Sequence, residues 1–414
     1  MSSLPFPLRL ATEPVVCVTL EQIAREGARL YLQKAIEDEV AEYVQNHHDR
    51  VDDAGHRLVV RNGHKPSRTI LSGVGPIEVI QPRVDDRRVD ENGVRFRFTS
   101  KILPPYLRKT KAIEDLVPWL YLKGISTGEM PDALVHLGFD GSGLSPTSVV
   151  RMLQVWQTEY GDWSKRNLSG KRYLYVWADG IYFSCRLSDD RPCLLVLMGA
   201  TQDGKKELIA MIDGQRESEM SWTALLLDLK NRGLVDPPQL ATGDGSLGFW
   251  CALAKVFPST RHQRCWVHKT MNVLDNLPKS QQPKAKSMLH EIWMSATKAD
   301  ATKAFDKFIE VYGSKWPKTA ECLQKDRAEL LAFYDFPAEH WQHLRTSNPI
   351  ESTFATVRLR TYRTKGPGSR EAGLAMAFKL ARKAESRWRK LNGSEKLQDL
   401  IDGIVYVDGT RIAA

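Results

Sequence analysis

Apolar residues recur along the chain in two rhythms, one helical and one extended, and the change of rhythm marks its parts. From Thr19 to about Gln45, Ala28, Leu32, Ile36, Val40 and Tyr43 fall on one helical face. Thr19 and Gln22 have capping-box spacing at its start, and Gly27 weakens the first turns. Ahead of it, residues 1–18 hold three Pro and no periodicity, and read as a flexible arm. Arg57 to Val84 is extended and turn-rich, broken at Leu71–Pro76, with a short strand expected over Ile77–Ile80. From Lys111 the pattern is helical. One helix is expected over Ala112–Gly124 with Pro118 inside it, and a second over Thr127–Leu137. After a glycine-rich turn, Ser145-Pro146 opens a third, with Val149, Val150, Leu153 and Trp156 spaced for one face. Helix, glycine turn, helix is the outline of a helix-turn-helix. Ser145, Thr147, Ser148 and Arg151 are therefore candidate DNA contacts, with plain helix packing as the alternative.

From Arg172 the period becomes that of strands. They are expected over Tyr173–Ala178, Ile181–Arg186, Cys193–Ala200 and Leu208–Ile212, before a helix over Glu219–Arg232. Strand Gln239–Thr242, helix Gly245–Val256, strand Arg261–Arg264 and a helix from Cys265 or Trp266 follow. Helices are then expected over Gln281–Ala296, Lys298–Tyr312 and Thr319–Phe333. A helix starting at Pro349 carries Glu351, and a basic helix over Arg370–Leu391 comes after a Gly-Pro-Gly turn. These breaks divide the chain into an arm (1–18), a helix with a small β region (19–110) and a helix-turn-helix-like region (111–170). An α/β core begins (171–278), is interrupted by an all-helical insertion (279–342), and closes over 343–392 before a tail (393–414).

Composition changes this picture little. Of 414 residues 42% are hydrophobic and 26% charged, as in ordinary soluble domains. No apolar run is long enough to span a membrane, and Met1–Leu20 lacks the form of a signal peptide. The six Cys are scattered, which fits a reducing cytoplasm better than a disulfide framework. Charge says more through its location. Between Arg345 and Lys390, twelve Lys and Arg stand against three Glu, an excess that equals the whole chain's +9. A one-signed segment with Trp388 between Arg387 and Arg389 reads as a surface for phosphates, the alternative being a solvated helix face.

Candidate chemistry lies in three acids. Asp179 ends the first strand of the core in Trp177-Ala-Asp-Gly180, Asp244 follows a later strand in Thr242-Gly-Asp-Gly245, and Glu351 lies on a late helix. Asp-Gly is also a strong hairpin dipeptide, so a turn after Asp179 is expected as well. Strands, helix, strand, helix, strand, helix, with acids at these points, is the order of an RNase H-like fold. Phosphodiester chemistry needs an oxygen nucleophile activated beside an already negative phosphate. Two divalent cations about 3.5–4 Å apart can supply this, held by carboxylates alone. Asp213, after Leu208–Ile212, is the strongest competitor for a place among the acids.

The sequence resembles the bacterial Mutator-type insertion-sequence transposases, a family of DDE enzymes, from about residue 57 to 391. The carriers are Trp177–Gly180, Thr242–Gly245, His262-Gln-Arg-Cys265-Trp-Val-His268 and Thr346-Ser-Asn-Pro-Ile-Glu351. Arg61-Asn-Gly63, Gly73-Val-Gly75, Pro82-Arg83 and Gly124–Thr127 add to them. The resemblance implies that Asp179, Asp244 and Glu351 form a catalytic triad holding Mg²⁺ or Mn²⁺, with two ions expected. It implies binding to double-stranded DNA at terminal inverted repeats and at a target, assembly as a dimer or larger synaptic oligomer, and action at the bacterial nucleoid. Arg358, two helical turns after Glu351, would meet a phosphate, with Arg360, Arg363, Lys365, Arg382, Arg387 and Arg389 as further DNA contacts. Cys265 and His268 recur in the family. Packing, DNA contact and metal binding with His262 all remain open for them, and no zinc is expected because a fourth ligand is missing. A transposase that has lost activity and binds DNA as a regulator is the alternative function. The presence of all three acids speaks against it.

Overall fold

Thr19 caps the first helix as its spacing requires. Its hydroxyl accepts the Gln22 backbone N–H at 3.3 Å, and the Gln22 side chain accepts the Thr19 N–H at 2.9 Å. A computed structural model of the chain describes residues 19–126, 128–137, 146–182, 193–214, 216–363 and 369–412. The expected arm, Ser145 and Lys365 lie outside them. The chain forms two compact units, 1–152 and 153–414. Among the described residues no helix is long and apolar enough to cross a membrane.

In the first unit α1 (Leu20–Gln45) lies on two antiparallel pairs, β1 (Val59–His64) with β4 (Pro82–Asp86), and β2 (Arg68–Ser72) with β3 (Gly75–Val79). Ile36 of α1 meets Ile70, Ile77 and Val79 in a small core closed by Leu103. Then come α2 (Lys111–Leu122), which contains Pro118, α3 (Met130–His136) and the start of α4 (Pro146–Ser164). Val149 is buried, but Val150 is 49% exposed. Successive helical residues point about 100° apart, so the two valines cannot share the centre of one face.

The second unit is built on a five-stranded sheet in the order β7-β6-β5-β8-β9. β5 (Tyr173–Tyr182), β6 (Cys193–Thr201) and β7 (Lys206–Gly214) form an antiparallel meander. β8 (Leu240–Gly243) and β9 (Arg261–Arg264) add on in parallel with β5. Nearly every residue of β5 and β6 is buried, which explains their unbroken apolar runs in place of alternation. α5 (Glu219–Asn231) and α6 (Leu247–Val256) pack together and join the sheet in one core through Trp222, Leu225, Leu226, Leu229, Phe249 and Leu253.

After α7 (Trp266–Leu274) come α8 (Gln282–Met294), α9 (Lys298–Gly313), α10 (Pro317–Gln324), α11 (Arg327–Leu330) and α12 (Trp341–Leu344). The single helix expected over Thr319–Phe333 is thus broken. The break lets Asp326 turn inward to pair with Arg264 and the buried Lys269. α13 (Asn348–Arg363) packs on β5, and α14 (Arg370–Glu385) on β7. α14 stops at Glu385, short of the expected Leu391, whose N–H bonds to the Gly204 carbonyl at 2.9 Å. The segment expected as a tail folds into α15 (Leu397–Ile401) and the hairpin of β10 (Tyr406–Val407) and β11 (Thr410–Arg411).

Candidate active site

The Asp179-Gly180 dipeptide does not turn. β5 runs straight through it to Tyr182, with Asp179 opposite Val196 and Gly180 opposite Leu195 of β6. The break expected between Tyr173–Ala178 and Ile181–Arg186 is therefore absent at Gly180, and residues 183–186 lie outside the described residues. Gly180 serves close approach instead: a Cβ there would lie 2.6 Å from the Glu217 carboxyl group. On the other side of β5 the parallel register sets Ala178 against Gly243. Asp179 and Asp244 each come one residue later, so their backbones emerge side by side where β8 ends. Asp244 then opens the turn into α6. Its carboxylate accepts the Ser246 N–H at 2.9 Å, and its carbonyl accepts Trp250 Nε1–H at 3.0 Å and the Arg264 guanidinium.

Glu351 reaches the same region from the first turn of α13. The segment before α13 is tied to the sheet. Trp177 Nε1–H donates to the His343 carbonyl at 2.9 Å, and the Thr242 hydroxyl to the Leu344 carbonyl at 2.9 Å. Trp266 N–H donates to the Arg345 carbonyl at 2.9 Å. Ser347, fully buried, follows at once, and its hydroxyl lies 2.9 Å from Glu351 Oε1, 3.2 Å from Cys265 Sγ and 3.4 Å from His268 Nδ1. One hydroxyl has one proton to give. The carboxylate is the nearer and stronger acceptor, while Cys265 Sγ takes the Ser347 backbone N–H at 3.3 Å.

Cys265, His268 and Glu351 thus form a cluster whose ligand atoms lie within 4.8 Å of one another, with Ser347 bonded into it. His262 is elsewhere, stacked on Trp250 with ring centroids 4.7 Å apart.

The electrostatics follow from crowding. Burial pushes the Asp179 carboxyl up to about 7, the charges of Asp244 and Glu351 push the same way, and His268 and Arg358 oppose them. His268 is raised to about 9, chiefly by its hydrogen bond with Cys265 and against the effect of burial, with help from Glu351 and Asp179. Burial alone would raise Cys265, but hydrogen bonds from His268 and Ser347 outweigh it and bring the thiol below its ordinary value.

The remaining sequence candidates divide. Arg358 is exposed and contributes to the field at Asp179. Arg387 and Arg389 are exposed beside Trp388, whose Nε1–H donates to the Thr353 hydroxyl at 3.1 Å. Arg382 pairs with Glu385. Thr147 and Arg151 are exposed on α4. The backbones of Ser148, Arg360 and Arg363 lie within helices. Asp213 is held in a two-bond pair with Arg370, both at 2.8 Å, so it has a structural partner. Ser347 lies within the Thr346–Glu351 motif, and its four-residue spacing to Glu351 is the one sequence signal of its hydrogen bond.

The chain matches the family described as Transposase, Mutator family, over residues 10–390. It is 50% identical over 288 residues to the transposase of insertion sequence element IST2 from Acidithiobacillus ferrooxidans, spanning 68% of this chain and 95% of that protein. To the transposase of IS6120 from Mycolicibacterium smegmatis it is 48% identical over 297 residues, 72% of this chain and 92% of that protein. The transposase of ISRM5 from Rhizobium meliloti is 24% identical over 378 residues, 91% of each.

Proposed function

The chain belongs to the Mutator family of transposases, and from that premise we propose that Asp179, Asp244 and Glu351 are its catalytic triad, carried on an RNase H-like core. The fold reading is supported by three antiparallel strands followed by two parallel ones, with helices between. The observation that carries the triad is the register that pairs Ala178 with Gly243, together with the Ser347 hydroxyl bonded to Glu351.

The carboxylates form an all-oxygen donor set, which suits Mg²⁺ or Mn²⁺ better than zinc. The raised Asp179 carboxyl fits the same reading, since crowded like charges are relieved by a cation. Two such ions, when bound, lower the pKa of the attacking water or 3′-hydroxyl and stabilise the leaving oxygen. The chain's own residues do the holding. Asp179 presents its carboxylate from β5 and Asp244 from the turn just past β8, and Glu351 lies on α13 with one oxygen fixed by Ser347. Cys265 and His268 serve to hold Ser347 and Glu351 rather than to bind zinc. Arg358 offers positive charge near Asp179 for a backbone phosphate.

The substrate is double-stranded DNA carrying the element's terminal inverted repeats, cut and then joined to a target through the freed 3′-hydroxyl. α4 reads the repeat through its exposed Thr147 and Arg151, and Arg387 and Arg389 hold phosphates. Joining two ends calls for at least two copies of the chain, working at the chromosome in the cytoplasm. Asp179→Ala, Asp244→Ala and Glu351→Ala, tested on DNA with candidate repeat ends, should each lose cleavage and keep binding. A variant that still cuts removes its residue from the triad.

A further inference from the structure

Lys206 opens β7 from the turn Asp203-Gly-Lys-Lys206 and is half-buried, where an ammonium ordinarily needs a carboxylate. The other three lysines around the cleft it borders each have one. Lys171 meets Glu207 at 3.0 Å, and Lys205 and Lys390 share Asp203 at 3.3 and 3.9 Å. Arg382, on the same wall, pairs with Glu385. Among the described residues no carboxylate pairs with Lys206, and its one polar neighbour is His343 Nδ1 at 3.5 Å. That nitrogen cannot accept from the ammonium. His343 Nε2 accepts the Asn392 N–H at 3.3 Å and so carries no proton. The ring proton is therefore on Nδ1, and it faces a second donor. Burial, followed by the charge of Lys206, pushes His343 down to about 4, which agrees with this neutral form.

Two donors 3.5 Å apart with no acceptor between them are satisfied by a single phosphate, through one or two of its oxygens. Their place in the fold selects the phosphate. Lys206 and His343 line a cavity of about 570 Å³ together with Asn348, Glu351 and Ser352. Lys206 also borders the basic cleft of Lys171, Lys205, Arg382 and Lys390, of about 710 Å³. A strand held at Glu351 thus meets the pair where the two spaces adjoin. The geometry points to Lys206 and His343 as a two-donor site for a backbone phosphate of the DNA strand, next to the one that is cut. This rests on the triad reading above, because Glu351 places the cut in the same cavity. Neither residue belongs to the basic segment 345–390, so the site adds a contact from β7 and α12.

The test is DNA binding by the full-length protein in EDTA, followed by fluorescence anisotropy on duplex carrying the element's terminus. Lys206→Gln should weaken binding about tenfold and reduce the slope of log affinity against log salt by about 1. Its melting temperature should equal or exceed that of the wild type, because an uncompensated ammonium has been removed. Neutral methylphosphonates then replace the phosphates of the strand one at a time. One position beside the cut should cost the wild type about tenfold in affinity and cost Lys206→Gln nothing. Wild-type binding in Lys206→Gln, a melting temperature that falls, or the same response to every methylphosphonate in both proteins overturns the proposal. So does a ¹⁵N spectrum that puts the His343 proton on Nε2. If inorganic phosphate raises the melting temperature of the wild type but not of Lys206→Gln, and no methylphosphonate position is sensitive, the site takes free phosphate and the DNA contact fails. Cleavage with Mg²⁺ separates the two readings. If Asp179→Asn cuts like the wild type, the triad reading fails; if it is inactive while Lys206→Gln binds and cuts like the wild type, only the phosphate site fails.

Discussion

Replacing Asp179 by Asn should stabilise the metal-free protein, and by an amount that depends on pH. Asp179 is 8% exposed, so solvent screens it little. Its carboxyl titrates at about 7 in the folded chain against an ordinary 3.8. Below the unfolded value the group is protonated in both states and costs nothing. As pH rises from there through the folded value, the unfolded chain gives up its proton first, and folding loses free energy. The loss is about 2 kcal/mol near pH 5 and levels at about 4 kcal/mol above pH 7. Asn has nearly the same shape and no charge, so the variant escapes it. In a unit of this size about 4 kcal/mol corresponds to a shift of roughly 8–16 °C in melting temperature. Urea unfolding of wild type and variant in EDTA, at pH 5 and pH 8, measures the difference. The variant's advantage should grow with pH. An Asn variant that is less stable at pH 8, or whose difference from wild type is flat with pH, refutes the claim that burial and neighbouring carboxylates raise Asp179 in the folded chain.

Two other predictions concern the support around Glu351. Ser347→Ala removes the 2.9 Å hydrogen bond to the carboxylate. A bond to a charged group is worth about 1.5–3 kcal/mol, so single-turnover cleavage should slow by about ten- to a hundredfold with DNA binding unchanged. An unaltered cleavage rate would show that Glu351 needs no such hold. Cys265→Ala should bring the His268 titration down from about 9 towards its ordinary 6.5, read from imidazole resonances by NMR. Stability drawn from protonated His268 is full below 6.5 and lost as pH rises through about 9, so the variant should lose stability at pH 7.5 and not at pH 10. A midpoint that stays near 9 means that the carboxylates, not the thiolate, raise it.

Local chemistry made much of this chain legible. The Thr19–Gln22 box fixed a helix start because capping involves only neighbours. The apolar run from Tyr173 to Ala178 announced a strand covered on both faces, and Arg261–Arg264 came out as a strand with the expected bounds. What escaped depends on distant partners. Asp-Gly favours a turn in isolation, but nine paired positions with β6 hold β5 straight through it. That Gly180 leaves space for the Glu217 side chain shows only in the fold. The basic excess counted along residues 345–390 is partly cancelled in space, where Arg370 meets Asp213 and Lys379 meets Glu159. Charge counted along a chain overstates the charge that a ligand meets.

The DNA ends that the protein produces test most directly whether these carboxylates cut. End-labelled duplex carrying the element's terminus and flanking DNA is incubated with the protein and Mg²⁺. A nick at the terminus that leaves a 3′-hydroxyl is expected. EDTA should abolish it, and so should each of Asp179→Asn, Asp244→Asn and Glu351→Gln. Cleavage that persists in EDTA, or at the wild-type rate in any of the three variants, contradicts a metal-dependent reaction carried by these carboxylates.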